Sequence, residues 1–160
     1  MKKGIITVIS ATFGIVAGIT ATGYMLNKEI RIQENKVNKF KGYYNLLNQW
    51  LVLQHNNKNL SEYFIKNEYK TIAVYGMGVL GNRLIDELHE SAVAVKYAID
   101  ENADSTYSEV NVYDLEDKLD KVDAVVVTAV FAFDEVKESL SKVMDCPIIS
   151  LEDVICEVSV

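Results

Sequence analysis

A G-x-G-x-x-G motif constrains this chain most, because it stands between a predicted strand and a predicted helix. The apolar run 72–75 precedes it, and apolar residues at helical spacing follow it. In this setting the first glycine allows a tight turn, the second lets a phosphate approach the backbone, and the third permits close helix packing. The start of the helix also offers N–H groups to an anion. We therefore predict a phosphate-binding turn formed by Gly76, Met77, Gly78, Val79, Leu80 and Gly81.

The C-terminal part alternates short apolar runs with amphipathic stretches, which is the pattern of a parallel α/β sheet with right-handed crossovers. It predicts a Rossmann-like, three-layer fold whose sheet has about five strands in the order 3-2-1-4-5. The predicted strands are 72–75, 93–99, 109–113, 124–128 and 147–150. The predicted helices are 79–90, 133–143 and 151–156, with a helical turn at 115–119.

Two polar residues follow other predicted strands and complete the candidate site. Asp100 lies 19 positions after Gly81, the spacing at which dinucleotide-binding chains place the acid that accepts ribose hydroxyls, and Glu101 is the alternative. An acid there disfavours a 2′-phosphate, so NAD-type ligands or nucleotide sugars are expected rather than NADP. Thr128 closes strand four, beside the crevice where ligands bind in this sheet order. Phe131, in the next loop, is interpreted as a core aromatic rather than a cover for a base.

The sequence shows no evident catalytic machinery. Sugar-nucleotide epimerases and short-chain dehydrogenases use a Tyr with a Lys four residues later, and no tyrosine from Tyr75 onward has one. There is no G-x-S-x-G elbow and no Cys/His pairing. The two cysteines and two histidines lack the spacing of metal ligands, so we interpret them as ordinary structural or surface residues. We therefore predict no catalytic residue and no metal site.

The N-terminal residues predict a single membrane span. Residues 4–26 carry no charge and form a run long enough to cross a bilayer as a helix. The apolar core of a signal peptide is usually shorter, although residues 21–23 are compatible with cleavage, so an uncleaved anchor is favoured. Positive charge is in excess after the span and predicts a cytoplasmic C-terminal domain. The residues that supply it are Lys28, Arg31, Lys36, Lys39 and Lys41.

Two features of the N-terminal half permit a homodimer. Gly14 and Gly18 form a G-x-x-x-G motif, which allows close helix packing in membranes, although glycine is also common in membrane helices. Residues 27–54 read as a helix with a heptad-spaced apolar stripe and a second stripe beside it from Tyr43 onward. The combined face is wide enough that we expect it to be buried against a globular body. The first stripe is Ile30, Val37, Phe40, Tyr44, Leu47 and Leu51, and the second continues through Leu46, Trp50 and Leu53.

Charge divides the chain in the same way. Residues 1–69 carry nine Lys/Arg against four Asp/Glu, whereas residues 70–160 carry seven against nineteen. Because residues 70–160 are this acidic, they should repel nucleic-acid phosphates, and we expect no nucleic-acid partner. The basic stalk suits the anionic headgroups of a lipid bilayer. We predict three segments: a transmembrane anchor at 1–26, a helical stalk with packing helices at 27–69, and the Rossmann-like domain at 70–160. The second segment includes a short helix at 60–67.

Three stretches carry a resemblance to a known group of domains. Residues 59–64 (NLSEYF), 72–81 (IAVYGMGVLG) and 97–100 (YAID), with similar sequence over 122–155, resemble small Rossmann-like domains of bacterial surface-polysaccharide and glycan-modification proteins. Such domains precede sugar acyltransferases, where they help to bind a nucleotide sugar, or accompany glycosyltransferases. The resemblance implies a nucleotide-binding fold and a role in polysaccharide synthesis.

Three functions are therefore carried forward. The first is a non-catalytic nucleotide-binding module at the cell membrane, with NAD or a nucleotide sugar as its ligand and its domain in the cytoplasm. The second is an NAD-dependent oxidoreductase or epimerase whose chemistry is completed by a partner chain. The third is a structural protein whose glycine loop is empty.

Overall fold

The computed structural model describes the backbone of residues 2–160 and the side chains of Met25 and residues 27–160. The chain divides into two compact units, residues 1–44 and 45–160. Helix α1 (Lys2–His55) supplies the first unit and the start of the second. Among the residues with described side chains, no helix is both long and apolar enough to cross a membrane. The anchor predicted at 1–26 and its Gly14/Gly18 motif lie almost wholly outside those residues and stay predictions.

The second unit is an α/β fold whose central sheet is wholly parallel. Its five strands run in the order β3-β2-β1-β4-β5, so the predicted sheet is confirmed. The strands are β1 (Thr71–Tyr75), β2 (Ala94–Ile99), β3 (Val112–Tyr113), β4 (Ala124–Val127) and β5 (Ile148–Ser150). The helices are the end of α1, α2 (Ser61–Lys66), α3 (Val79–Leu88), α4 (Phe133–Leu140) and α5 (Leu151–Ser159), with 3-10 turns at Ala103–Ser105 and Val130–Ala132.

Alternation along the strands builds a core on each face of the sheet. Ile72 and Val74 of β1 face one core, which the end of α1, α2, α3 and α5 cover. Ala73 and Tyr75 face the other, which contains Val136 and Leu140 of α4. The central strands β1 and β4 are almost wholly apolar because both faces of the sheet are covered there. This arrangement sets the carboxyl ends of β1, β2 and β4 side by side, with Tyr75 level with Ile99 and with Val127.

Two expectations from the sequence need correction. Residues 115–119 form a hydrogen-bonded turn rather than a helix, because the Asp114 and Asp117 carboxylates accept from nearby backbone N–H groups and compete with helical bonding. The wide apolar face of α1 is buried only in part. The second stripe, Leu46, Trp50 and Leu53, is buried. The first stripe stays exposed along its length.

The end of α1 is defined by its own backbone. Asn57 has a φ of 56°, the left-handed conformation that commonly closes a helix. The N–H of Lys58 then donates to Leu53 O at 3.0 Å, which satisfies one of the last carbonyls. The helix therefore stops here, and the polar residues 56–59 lead the chain into α2.

Candidate functional site

The turn between β1 and α3 requires glycine at its first position. Gly76 has a φ of 94°, a conformation that side chains rarely adopt. Its N–H donates to Ile99 O at 2.8 Å, and a Cβ there would lie 3.0 Å from Thr128 Oγ1. The neighbouring strands β2 and β4 therefore close around this residue, and the tight turn expected of the first glycine is present.

The third glycine is required by packing. Gly81 is buried in the first turn of α3, and a Cβ on it would overlap Gly76 O. Close contact between this helix and the preceding turn is the mechanical role expected at this position.

The second glycine differs from the other two. Gly78 is the N-cap of α3, with φ −78° and ψ −161°, values that residues with side chains also adopt. A Cβ built there meets no described atom within 4 Å. The fold itself therefore does not require glycine at Gly78, and the space beside its backbone is open.

The N–H groups at the start of α3 are available to a ligand. The first intrahelical bond joins Asn82 N to Gly78 O at 3.2 Å, so the N–H groups of Gly78, Val79, Leu80 and Gly81 have no intrahelical acceptor. The N-cap residue, Gly78, has no side chain with which to cap this end. The Val79 side chain is 70% exposed, whereas that of Leu80 is buried in the core.

Charge at the helix starts separates α3 from its neighbours. Among α2 to α5, whose residues are all described, α3 alone has no acid in its first turn. Glu62 begins α2, Asp134 and Glu135 begin α4, and Glu152 and Asp153 begin α5. These carboxylates complement the positive end of each helix dipole. The first turn of α3 carries no such acid, and the carboxylate bonded just before it is that of Asp100, whose Oδ2 accepts from Met77 N.

Asp100 reaches the glycine turn, but its first role is structural. Its Oδ2 accepts from Met77 N at 2.7 Å, and its Oδ1 accepts from Asn102 N at 2.9 Å. A carboxylate has about four acceptor positions, so two bonds leave capacity for a ribose hydroxyl. The alternative acid, Glu101, lies 3.5 Å from the Tyr75 hydroxyl. Burial, followed by the charges of Glu101 and Asp100, raises the pKa of Tyr75 above its usual value.

Thr128 is buried where β1 and β4 end. Its hydroxyl lies 2.5 Å from Gly76 O and 3.1 Å from Tyr75 O, and its N–H donates to Tyr75 O at 2.9 Å. The side chain therefore holds the turn in place, and its contribution to a ligand site is to shape that turn. The ligand roles of Asp100 and Thr128 stay predictions. Phe131, expected in the core, is 42% exposed on the loop after β4.

Two carboxylates important to the architecture were missed in the sequence. Glu87, in the last turn of α3, accepts from Trp50 Nε1, from Gln54 Nε2 at 3.2 Å and from Leu60 N at 2.7 Å. Asp123 accepts from Lys70 N, Thr71 N and Thr71 Oγ1 at the amino edge of the sheet. These bonds to Thr71 and Lys70 lower the pKa of Asp123. No local sequence pattern predicts that Glu87 bonds to α1. For Asp123 the only signal is weak, namely that an acid stands just before a strand.

One cavity of the second unit is poorly suited to an anion. The cavity beside Phe131 is lined by Asp134, Glu135, Glu152 and Asp153, so its charge disfavours an anion. Within the described part of the chain, no group of three or more His, Cys, Asp or Glu side chains is placed to hold a metal ion. Cys146 is half-buried, Cys156 is exposed, and both are free thiols.

Comparisons with protein-family models, with curated proteins and with solved structures find no match to this chain. The function must therefore be argued from the glycine turn and its surroundings.

Proposed function

We propose that this protein is a membrane-anchored, non-catalytic Rossmann-like module that binds a nucleotide, either NAD-type or a nucleotide sugar, on the cytoplasmic side of the cell membrane. The observation that carries the proposal is the start of α3. Its N–H groups are open, its N-cap is a glycine with free space beside it, and its first turn has no acid. A diphosphate would accept hydrogen bonds from these N–H groups and interact favourably with the positive end of the helix dipole.

Each neighbour of the turn has a role in this binding mode. The diphosphate lies against Gly78 and the N–H groups of the following residues. Asp100, already bonded to Met77 N, offers its remaining lone pairs to a ribose hydroxyl. Its negative charge disfavours a 2′-phosphate, which selects NAD or a nucleotide sugar over NADP. The sheet order supports the same location, because ligands of such folds bind where the strand order reverses, between β1 and β4.

Support for binding rather than catalysis comes from the groups around the turn. A general acid or base must lie within hydrogen-bond reach of the reacting atoms and titrate near the working pH. The titratable side chains described next to the turn are two carboxylates and Tyr75, whose pKa is raised further from neutrality. An accessory role in surface-polysaccharide synthesis follows from the resemblance of residues 59–64, 72–81 and 97–100 to domains of that kind.

Calorimetric titration of the full-length protein in detergent with NAD, NADP, a UDP-sugar and AMP tests the proposal. We expect NAD or the UDP-sugar to bind, and NADP to bind more weakly. Gly78→Val should abolish binding, because its side chain fills the space that the phosphate needs. Asp100→Asn should weaken binding and reduce the preference for NAD over NADP.

The matched control is Val143→Ala, which alters an exposed apolar side chain outside the proposed site and should leave affinity unchanged. Thermal unfolding of each variant shows whether the domain is intact. If none of the four ligands binds the intact protein, or if Gly78→Val binds as the parent does, the turn is not a nucleotide site.

A further inference from the structure

Among the residues whose side chains are described, most of the exposed large apolar ones lie along α1. In the first unit, every residue from 27 to 41 is exposed. Ile30 is 54% exposed, Val37 50%, Phe40 74% and Tyr44 64%. Helices in proteins gain most of their stability from packing an apolar face. A helix with this much exposed apolar surface therefore needs a partner.

The spacing of the stripe specifies what kind of partner fits. Ile30, Val37 and Tyr44 occupy heptad a positions, and Gln33 and Phe40 occupy d positions. In the second unit, Leu47 and Leu51 continue this register in the sequence and are 39% and 52% exposed. A repeat of 3.5 residues keeps one narrow stripe in contact with another supercoiled helix. A flat membrane surface or a globular partner imposes no such repeat.

Part of the charge lies on the other side of the helix, whereas Lys36 and Lys41 flank the stripe. Lys28, Arg31 and Lys39 occupy positions f, b and c of the same heptads, which point away from an a/d stripe. The apolar stripe and the basic face are therefore separate, and both can be satisfied at once.

We infer that α1 pairs through this stripe with α1 of a second copy of the chain, as a parallel, in-register coiled coil. The inference does not depend on nucleotide binding. β-Branched residues at a and leucine at d favour parallel two-stranded pairing, and Ile30, Val37 and Leu47 follow that rule. In the single chain the Gln33 amide donates to Glu29 Oε1 at 3.2 Å. In register, it would turn to face Gln33 of the second copy, where each amide donates to and accepts from the other.

The flanking charges make the pairing weak by itself. In a parallel pair, Lys36 at g faces Lys41 at e of the second copy, and Glu29 faces Glu34. Like charges at such exposed positions destabilise, but modestly. In the antiparallel arrangement that sets Val37 against Phe40, Glu34 instead faces Lys41 and attracts it. The two arrangements therefore respond in opposite directions to a change at Lys41.

Disulfide cross-linking of the full-length protein in lipid vesicles tests the contact. In a background with Cys146→Ser and Cys156→Ser, Ile30→Cys should oxidise to a covalent dimer. Asn35→Cys, at the outward f position, should not. In the antiparallel arrangement two copies of residue 30 lie about 25 Å apart, since each residue adds about 1.5 Å, so Ile30→Cys would not cross-link. Equal cross-linking at residues 30 and 35, or none at either, overturns the inference.

Lys41→Glu provides the second, independent measurement. It replaces two Lys–Lys contacts per dimer by Lys–Glu contacts. We therefore expect the variant dimer to dissociate in detergent at a protein concentration about fivefold lower than the parent dimer does. Lys39→Glu makes the same charge change away from the contact and should leave the dimer as it was. If Lys41→Glu dimerises more weakly than the parent, the helices pair in the antiparallel arrangement. If parent and variant are both monomeric, the stripe does not pair. Either result overturns the proposal.

Discussion

The two ends of α3 differ in how the protein uses their polar groups. At the last turn, both oxygens of Glu87 accept from donors on α1 and the following segment, and the buried Trp50 is one of them. At the first turn, Gly78 and the residues after it present N–H groups without intrahelical partners. One end joins parts of the fold, whereas the other presents polar groups outward. In the proposed binding mode, the end of α3 that the fold does not use for its own contacts is the end that meets the ligand.

Gly81→Ala should have the largest effect and would show that the first turn of α3 is fixed by packing. The added methyl overlaps Gly76 O, so either the helix or the turn must move. Because overpacking typically costs about 1–3 kcal/mol, we expect a loss of about 3 kcal/mol in the free energy of unfolding. Urea denaturation measures it. A loss below about 0.5 kcal/mol would mean that the turn is looser than the structure shows.

Glu87→Gln should have an intermediate effect and tests the other end. The substitution keeps the shape but turns one acceptor into a donor that faces the N–H groups of Trp50, Gln54 or Leu60. Leaving a donor unpaired costs about 1–3 kcal/mol, and we expect about 2 kcal/mol in the same urea experiment. Asp86→Asn is the control, because Asp86 forms an exposed 3.4 Å ion pair with Arg83, which contributes little. Equal effects for the two variants would remove the special role of Glu87.

Gly78→Ala should have the smallest effect on stability. A Cβ there has open space, and the loss of chain entropy in the unfolded state offsets the slightly poorer N-cap. We expect a change within about 0.5 kcal/mol in the free energy of unfolding. A large loss in the free energy of unfolding would mean that Gly78 has a structural role like that of Gly76 and Gly81. It would contradict an open phosphate site beside Gly78.

The sheet order was predictable from the sequence because it depends on local patterns. Short apolar runs bounded by polar residues gave the strands, and the alternation of strands with amphipathic segments required parallel crossovers. Gly76 and Gly81 were predictable for the same reason, since their roles follow from a turn between a strand and a helix. The strand ends were less accurate: β3 begins at Val112 rather than at residue 109.

The partners of individual side chains were not predictable, because they depend on residues far apart in the chain. Asp100 was found by its spacing, but its bond to Met77 N appears only when β2 lies beside β1. Glu87 meets Trp50 across 37 positions. The two stripes of α1 look alike in the sequence. Only tertiary packing decides that Leu46, Trp50 and Leu53 are buried while Leu47 and Leu51 stay exposed.

The placement of Asp123 makes the fold sensitive to acid on the side away from the proposed ligand. Because the hydrogen bonds from Thr71 and Lys70 lower its pKa, the stabilisation that Asp123 provides is complete above the pKa of an unfolded aspartate, about 3.9. It is lost as the pH falls through the lowered value. Protonation would then weaken the hydrogen bonds from Lys70 and Thr71 to the Asp123 side chain, whereas the backbone bond from Asp123 N to Thr71 O would remain. The loss would fall at the amino edge of the sheet, opposite the edge where Asp100 and Thr128 hold the glycine turn.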